Sequence, residues 1–286
     1  MPVSKLRLPH LRSRYAFVAL LALLLVGLLA SGCIGDVDTP QNTLAPEGEV
    51  ARQQRDLFMI AMWPALAVMI FVEAGIVVLL LRFRRRKDDQ IPKQTHGNTP
   101  LELAWTIAPA IIIIAFVGVP MVPVIFELGR EPKADADCPA KNLRTPYPVD
   151  VIGQRFTWVF EYPEILDDQG EPVFTTGELH IPAQCEIALN ITAADVNHSF
   201  AVPRIAGTRD AIPGQKGSMW IKVDEPGSFA GQCRELCGTG HADMKVTVIA
   251  QSEADFQAWS EEMAAGVRSA GDGSDAGAVS ASESGE

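Results

Sequence analysis

The chain has 286 residues, of which 48% are hydrophobic and 21% are charged, and its formal net charge is −11 at pH 7. This length allows one or two domains. The negative charge disfavours nucleic-acid binding, which relies on Lys and Arg contacts to phosphates. The hydrophobic residues concentrate in three runs near the N-terminus, so a wholly soluble chain is also disfavoured.

The N-terminal segment, residues 1–32, has the pattern of a secretory signal. Four basic residues precede an apolar run over 15–30, and small residues follow it. Leu29-Ala-Ser-Gly-Cys33 resembles a bacterial lipoprotein signal, in which Cys33 is acylated and becomes the mature N-terminus. An ordinary signal peptide and an uncleaved helix are the alternatives. Cleavage before Cys33 would change the net charge from −11 to −15, because residues 1–32 contain four basic and no acidic residues.

Two further apolar runs, 57–81 and 103–126, are each long enough to cross a bilayer, which takes about 20 residues. The loop over 82–87 between them is rich in Arg and Lys, and such loops stay in the cytoplasm. We therefore predict a transmembrane hairpin over 57–127. The segment 33–56 and the C-terminal domain would then lie on the exported side.

Carboxylates and prolines interrupt these apolar runs. Glu102 is expected at the water–lipid border, where it can collect protons without full burial. An acid that stabilises the start of a helix is the alternative, and both roles are compatible. Glu73 lies inside the first run and is expected to face protein rather than lipid, with no assigned role. Pro120 and Pro123 predict a loosened or kinked helix near its outer end.

From about residue 149 to 248, short apolar runs alternate with turn residues, which is typical of a β-sandwich or barrel. The runs expected to form strands are 149–152, 156–162, 186–191, 218–223 and 245–250. Ser252 is predicted to cap a short helix that ends near Ala264. Residues 266–286 are rich in Gly, Ser, Ala and acid, and they are predicted to be disordered.

The sequence Cys233-Arg-Glu-Leu-Cys237-Gly-Thr-Gly-His241-Ala-Asp-Met244 contains the densest set of soft metal ligands. Sulfur and imidazole ligands select copper or zinc over hard cations, and Met244 argues against zinc. A mononuclear blue-copper site uses one Cys, whereas two thiolates four residues apart can bridge two copper ions. Among five histidines, His198 in the segment 195–203 best supplies a second imidazole, while His180 fits a structural role in a strand.

These residues resemble the binuclear copper A site of the cytochrome c oxidase subunit II family. The family pattern is D-V-x-H-S-[WF]-A-V-P followed by C-x-E-x-C-G-x-x-H-x-x-M, and every element is present. The resemblance extends from about residue 50 to about 265. It implies a two-helix transmembrane hairpin followed by an all-β cupredoxin-like Greek-key barrel over 145–265.

The resemblance also implies how each metal ion is bound. The implied copper ligands are Cys233 and Cys237 for both ions, His198 and Met244 for one ion, and His241 and the backbone carbonyl of Glu235 for the other. The Glu235 side chain is implied to bind a magnesium ion at the interface with subunit I. A solvated loop acid is the alternative for that side chain.

Two other segments have implied roles. Residues 96–109 resemble the family signature H-G-x-x-x-[LV]-E-x-x-W-T-[IV]-x-P, which implies that Glu102 lies at the cytoplasmic mouth of a proton channel in subunit I. Phe156 and Trp158 stand at the two positions of the family's W-x-W strand, where cytochrome c delivers electrons. Packing within the core is the alternative for this strand. The acidic Asp195 and Asp210 match positions used for docking, or they are solvated acids.

The resemblance implies subunit II of a bacterial haem–copper oxidase in the plasma membrane. It would accept electrons from cytochrome c and pass them to haem in subunit I, where oxygen is reduced to water and protons are pumped. The implied partners are subunits I and III, cytochrome c and the membrane. The alternatives are a nitric oxide reductase copper subunit, a quinol oxidase subunit, which lacks these copper ligands, and a copper-delivery or thiol-exchange protein.

Two cysteines, Cys138 and Cys185, have no place in the copper pattern. An exported location permits a disulfide between them. Two unrelated free thiols are the alternative, because the sequence does not give the distance between their Cα atoms.

Overall fold

The computed structural model describes residues 39–83, 94, 96–134, 138–140 and 142–266. Three predictions lie wholly or mostly outside this part of the chain and stay predictions: the signal segment with acylation of Cys33, the Arg/Lys loop over 82–87 and the disordered tail over 266–286. Within it, two long apolar helices precede ten strands, and a short helix follows them.

The two apolar helices form the predicted hairpin. The helical elements are α1 (Glu49–Arg82), α2 (Thr99–Ile113), a π-helical turn (Ile114–Gly118) and α3 (Val119–Leu128). The π-helical turn joins α2 and α3 into one helix of 30 residues, and α1 has 34 residues. Each helix contains an 18-residue stretch with a mean hydropathy of 2.5. Both are long enough to span a membrane. The π-helical turn directly precedes the segment where the prolines predict a loosened helix.

The helix α1 begins before the apolar run, so residues 49–56 of the predicted exported segment are helical and continuous with the span. Its first turns carry polar residues that contact the β domain, and hydropathy therefore does not reveal them. Arg204 donates a hydrogen bond to Glu47 at 2.6 Å, and Arg52 forms an ion pair with Asp224. Arg204 follows the segment that contains His198, so the start of α1 is tied to the predicted metal-binding region.

The β domain consists of two five-stranded sheets in the orders β3-β2-β1-β5-β8 and β4-β10-β9-β6-β7. The strands are β1 (Tyr147–Gln154), β2 (Thr157–Leu166), β3 (Pro172–Thr176), β4 (Glu178–Pro182), β5 (Ile187–Ala193), β6 (His198–Ala201), β7 (Thr208–Ala211), β8 (Gly217–Ile221), β9 (Gly227–Cys233) and β10 (Lys245–Gln251). Parallel pairing joins β1 to β5 and β4 to β10, and the other pairs are antiparallel. Each of the five predicted runs contains a strand.

The core lies between the two sheets and follows the period of two that strands impose. On β2, Trp158, Phe160 and Tyr162 are fully buried, and the residues between them are partly exposed. A final helix, α4 (Glu253–Ala264), covers one side of this core. Its predicted cap is present, because the Ser252 hydroxyl accepts a hydrogen bond from the Asp255 N–H at 3.2 Å.

Arg130 fixes the end of α3 to the first sheet. Its guanidinium donates to both carboxylate oxygens of Glu186 at 2.8 Å and to Glu127 at 2.6 Å. It also lies 4.1 Å from the ring centroid of Trp220. The hydrogen bond to Glu186 raises the pKa of Arg130 most. Because the Glu186 side chain is only 8% exposed, removal of Arg130 would take two charge-assisted hydrogen bonds from a buried carboxylate.

A disulfide joins Cys138 to Cys185, with the two Cα atoms 4.5 Å apart. It connects the segment after α3 to the start of β5, next to Glu186. The ion pair of Arg130 and this disulfide therefore hold the segment between membrane helix and β domain at two neighbouring points.

Breaking the disulfide should lower the stability of the β domain. For Cys138→Ser we expect the free energy of unfolding to fall by about 2–4 kcal/mol, because the unfolded chain regains the entropy of a long open loop. Urea unfolding of the full chain in detergent, followed by tryptophan fluorescence, measures this change.

The matched control is Cys185→Ser, which breaks the same bond and should give the same loss. The free energy of unfolding of the double variant should fall no further than that of either single variant. A reductant should lower the free energy of unfolding of the parent chain only. An unchanged unfolding midpoint in Cys138→Ser would contradict the prediction.

Candidate metal centre

Neighbouring strands of the second sheet bring the predicted metal ligands to one end of the β domain. His198 is the first residue of β6, and Cys233 is the last residue of β9. The loop from β9 to β10 contains the remaining three side chains, Cys237, His241 and Met244. The backbone N–H of Cys233 donates to the carbonyl of Met244 at 2.9 Å, which closes this loop.

The donor atoms of these side chains converge. The sulfur of Cys233 lies 3.9 Å from Nδ1 of His198, and the sulfur of Cys237 lies 3.7 Å from Nδ1 of His241. The thioether sulfur of Met244 lies 3.8 Å from the sulfur of Cys237. Bonds of about 2.0–2.3 Å at a tetrahedral angle place two ligands of one ion roughly 3.5 Å apart. These separations therefore suit ligands of shared metal ions.

The Glu235 backbone faces this cluster, whereas its side chain is exposed. The carbonyl oxygen of Glu235 lies 3.3 Å from the sulfur of Cys233. A backbone carbonyl is thus available as a further donor beside the thiols, and the carboxylate stays accessible from outside.

Asp195 orients the His198 ring. Its Oδ1 lies 2.8 Å from Nε2 of the fully buried His198. Because Nε2 donates its proton there, Nδ1 is left as the donor atom that faces Cys233. Burial alone would raise the pKa of Asp195, but hydrogen bonds from His198 and from the backbone N–H groups of Arg155 and Val196 lower it overall. The sequence predicted Asp195 to be a docking residue or a solvated acid. In the structure its carboxylate contacts the imidazole of His198.

The His198 ring also packs against the first sheet. A Cβ atom on Gly153 would lie 3.0 Å from a carbon of the ring, so any larger residue there would have to displace the imidazole. The Trp158 ring centroid lies 6.0 Å from that of His198 and 5.2 Å from that of Phe200. Sequence reasoning missed the role of Gly153, although a glycine inside an apolar strand is a signal of close approach.

The two residues predicted to receive electrons have different environments. Trp158 is fully buried on the core face of β2, so it cannot contact a partner at the surface. Phe156 lies in the turn before β2 and is 37% exposed. Its ring covers the metal loop, because a Cβ atom on Gly240 would lie 2.6 Å from it. Of this pair, Phe156 alone is available to a docking protein.

The two thiols in the cluster are free, whereas Cys138 and Cys185 are paired. Burial, followed by the nearby thiol of Cys233, raises the pKa of Cys237 to about 11. A thiol in this environment stays protonated at neutral pH until a metal ion displaces the proton. Two such thiols, two imidazoles and a thioether fit copper, because soft ligands of this kind select it over hard cations.

Three other residues singled out in the sequence lie apart from this cluster. Glu102 is in the first turn of α2, where its Oε1 accepts a hydrogen bond from the Asn98 N–H at 3.0 Å. Asp210 accepts a hydrogen bond from the Ser199 hydroxyl at 2.7 Å. His180 stacks on Trp259 with ring centroids 4.5 Å apart, in the expected structural role.

Comparisons with known proteins agree on one family. A family model described as the periplasmic domain of cytochrome c oxidase subunit II matches residues 148–251, and one described as its transmembrane domain matches residues 41–124. Cytochrome c oxidase subunit 2 of Alkalihalophilus pseudofirmus is 37% identical over 242 residues, which cover 84% of this chain and 66% of that protein.

Of two further relatives, one is again a cytochrome c oxidase subunit and the other is a quinol oxidase subunit. Cytochrome c oxidase subunit 2 of Bacillus subtilis is 34% identical over 255 residues, which cover 85% of this chain and 67% of that protein. Quinol oxidase subunit 2 of Bacillus spizizenii is 32% identical over 242 residues, which cover 84% of this chain and 70% of that protein. The match to the first relative thus spans slightly less than two thirds of that protein's length.

Loss of a thiol from the cluster should be far more severe than loss of the thioether. Cys233→Ser is expected to abolish the copper centre, whereas Met244→Leu should keep the copper and shift its reduction potential. Metal analysis gives the copper content of the purified protein. Electron paramagnetic resonance tests whether one unpaired electron is shared by two copper nuclei.

Cys138→Ser serves as the control, because it removes a cysteine that lies outside the cluster. It should retain the copper signal of the parent chain. A native spectrum in Cys233→Ser, or the pattern of a single copper nucleus in the parent chain, would contradict the ligand assignment.

Proposed function

The chain belongs to the cytochrome c oxidase subunit II family, and on this premise we propose that it is the electron-accepting subunit of a respiratory cytochrome c oxidase. Family membership makes it one subunit of a membrane oxidoreductase. The proposed role is to accept single electrons from cytochrome c and pass them to haem in subunit I. Oxygen reduction and proton pumping belong to subunit I, and subunit III is a further proposed partner.

The observation that carries this proposal is the convergence of soft donors at the end of the second sheet. The thiols of Cys233 and Cys237 each lie within 4 Å of an imidazole nitrogen. A quinol oxidase subunit has no use for such a set, so the donors favour cytochrome c oxidase over that alternative. A thiol-exchange protein would need exposed cysteines, whereas both of these are buried.

The proposed copper centre uses all of the converging residues. Cys233 and Cys237 would hold both ions, His198 and Met244 would complete one, and His241 with the Glu235 carbonyl would complete the other. When bound, the copper pair supplies transfer of one electron at a time.

The chain's own contribution is to keep these ligands from moving. Asp195 holds the Nε2 side of His198, and Gly153 and Trp158 pack against the ring. Such contacts around the ligands fix their orientation and the affinity for the metal. A ligand set that stays in place needs little rearrangement when its charge changes, and electron transfer is then fast.

The exposed carboxylate of Glu235 is proposed to bind magnesium at the interface with subunit I. Carboxylate oxygens are among the ligands that Mg²⁺ prefers. The carbonyl of the same residue faces Cys233 at 3.3 Å. One residue would thereby connect the copper ligands with the surface that meets subunit I.

The proposed location is the bacterial cell membrane, with the β domain on the exported side. The two spanning helices make the chain a membrane protein. The predicted Arg/Lys loop between them favours a cytoplasmic position for that end of the hairpin. The disulfide between Cys138 and Cys185 supports an exported β domain, because disulfides persist in oxidising compartments.

Cytochrome c is proposed to dock over Phe156. This ring is exposed beside the metal loop, and the acidic Asp210 lies on the same sheet as the ligands. The chain as a whole is acidic, with a net charge of −11. A basic donor would therefore be attracted, since complementary charges raise association rates.

Reduction by cytochrome c should depend on salt. The Debye length falls from about 10 Å at 0.1 M to about 3 Å at 1 M salt, so the second-order rate should fall severalfold over this range. Stopped-flow reduction of the purified complex measures that rate. Asp210→Asn should slow the encounter and weaken its salt dependence, whereas Phe156→Ala should slow transfer at saturating donor.

Asp168→Asn is the matched control, because this exposed acid follows the far end of β2. This substitution should change neither the second-order rate of reduction nor the rate of transfer at saturating cytochrome c. A rate that is independent of salt would reject electrostatic docking.

Glu102→Gln is expected to slow oxygen consumption severalfold and to leave reduction by cytochrome c unchanged. The amide oxygen of glutamine can still accept the hydrogen bond from the Asn98 N–H, so the substitution keeps the helix cap and removes only the charge. Steady-state oxygen uptake and stopped-flow reduction separate the two effects. Unchanged oxygen uptake would reduce Glu102 to a capping residue.

A further inference from the structure

The two membrane helices contact each other in their outer halves. Helix α1 packs against the π-helical turn and α3. All of its buried and partly buried residues fall within 49–66, and every residue over 67–82 is exposed. Every residue of α2 over 99–111 is exposed as well. The inner halves of the hairpin, residues 67–82 and 99–111, therefore present two uncovered apolar surfaces.

Glu73 lies on the uncovered part of α1. Its neighbours one turn away on the same face are apolar and exposed, namely Met69, Ile70, Ile76 and Val77. Across the described ranges of the chain, no hydrogen bond or ion pair reaches the Glu73 carboxylate. The only acidic side chain in the apolar run over 57–81 therefore has no polar partner among the residues that the structure describes.

Its position along the run places it in the middle part of the predicted span, away from both ends. Residue 69 is the midpoint of the run, and Glu73 lies about 6 Å beyond it at a rise of 1.5 Å per residue. The inner end of the run at residue 81 is about 12 Å further along the axis. Lys and Arg reach the interface by extending a long apolar stem, which the shorter glutamate side chain lacks.

We propose that Glu73 is a polar anchor within the membrane that seats the inner halves of the hairpin on the transmembrane helices of a partner subunit. That partner presents a hydrogen-bond donor at the depth of Glu73. The inference rests on the proposed function in one respect, because an oxidase complex supplies the membrane-embedded partner. It does not depend on the copper ligands.

A protein partner explains this carboxylate better than lipid does. Ionisable groups inside a membrane almost always face other helices and pair with a polar group there. Apolar surfaces alone give little preference for one helix–helix register, because lipid tails are as apolar as the side chains. One polar contact at a fixed depth sets that register, and the apolar residues around Glu73 then pack beside it.

The test measures retention of this chain in the intact complex. The complex is purified from membranes through a tag on subunit I and diluted in mild detergent, and the retained chain is quantified against haem. Glu73→Leu should dissociate roughly 3- to 20-fold more readily, the range expected from hydrogen bonds between transmembrane helices. Glu73→Gln keeps a hydrogen-bonding group and should fall between Glu73→Leu and the parent.

Phe71→Leu is the matched control, since Phe71 is 79% exposed on the same segment and carries no polar group. It should remain bound like the parent. Glu73→Leu makes the span more apolar and therefore easier to insert, so the amount of chain in the membrane should not fall. The copper signal and its reduction by cytochrome c test the proposed function separately, and both should be unchanged in the Glu73 variants.

Full retention of Glu73→Leu would overturn the anchor and leave the copper function intact. Equal loss of Glu73→Leu and Phe71→Leu would also overturn it, because general apolar packing would then account for the association. Selective loss of Glu73→Leu with partial retention of Glu73→Gln would support it.

Discussion

The candidate metal centre depends on a short contact between β6 and β9. Only two residue pairs join these strands, Phe200 with Cys233 and Ala201 with Gln232. A slip of one residue would turn Cys233 to the opposite face and separate its sulfur from the His198 ring. Gly231 permits the close approach, because a Cβ atom there would lie 2.4 Å from the Ala201 carbonyl oxygen. The spacing of donors from distant parts of the chain thus follows from strand register.

The same region is tied to the membrane helices at two separate places. Arg204, just beyond the β6 segment, binds Glu47 at the start of α1, while Arg130 after α3 binds Glu186 on the other sheet. Two attachments on different sheets prevent the β domain from rotating about a single linker. The position of the metal loops relative to the two apolar helices is therefore fixed by contacts within the fold.

The sequence predicted those features whose chemistry is local. Hydropathy over a single run predicted the two long apolar helices, and one short motif together with His198 predicted the side chains whose donor atoms the structure brings together. Arg130 and Glu186 form an ion pair although they are 56 residues apart in the chain. No local sequence pattern indicates this pairing. The burial of Trp158 was predictable from its alternation with Phe160 and Tyr162, but the family pattern drew attention to its role at the surface. The orienting contact of Asp195 needed the turn geometry that only the structure supplies.

The π-helical turn at Ile114–Gly118 changes which side of the second helix faces its neighbours. A π-type turn accommodates one extra residue, and one residue corresponds to a rotation of about 100° around an α-helix. The side chains before and after the turn are therefore out of phase. After the turn, one face of the helix packs against α1. Before the turn, the residues in line with that face point in a different direction. A single inserted residue thus lets one helix present differently oriented faces before and after the turn.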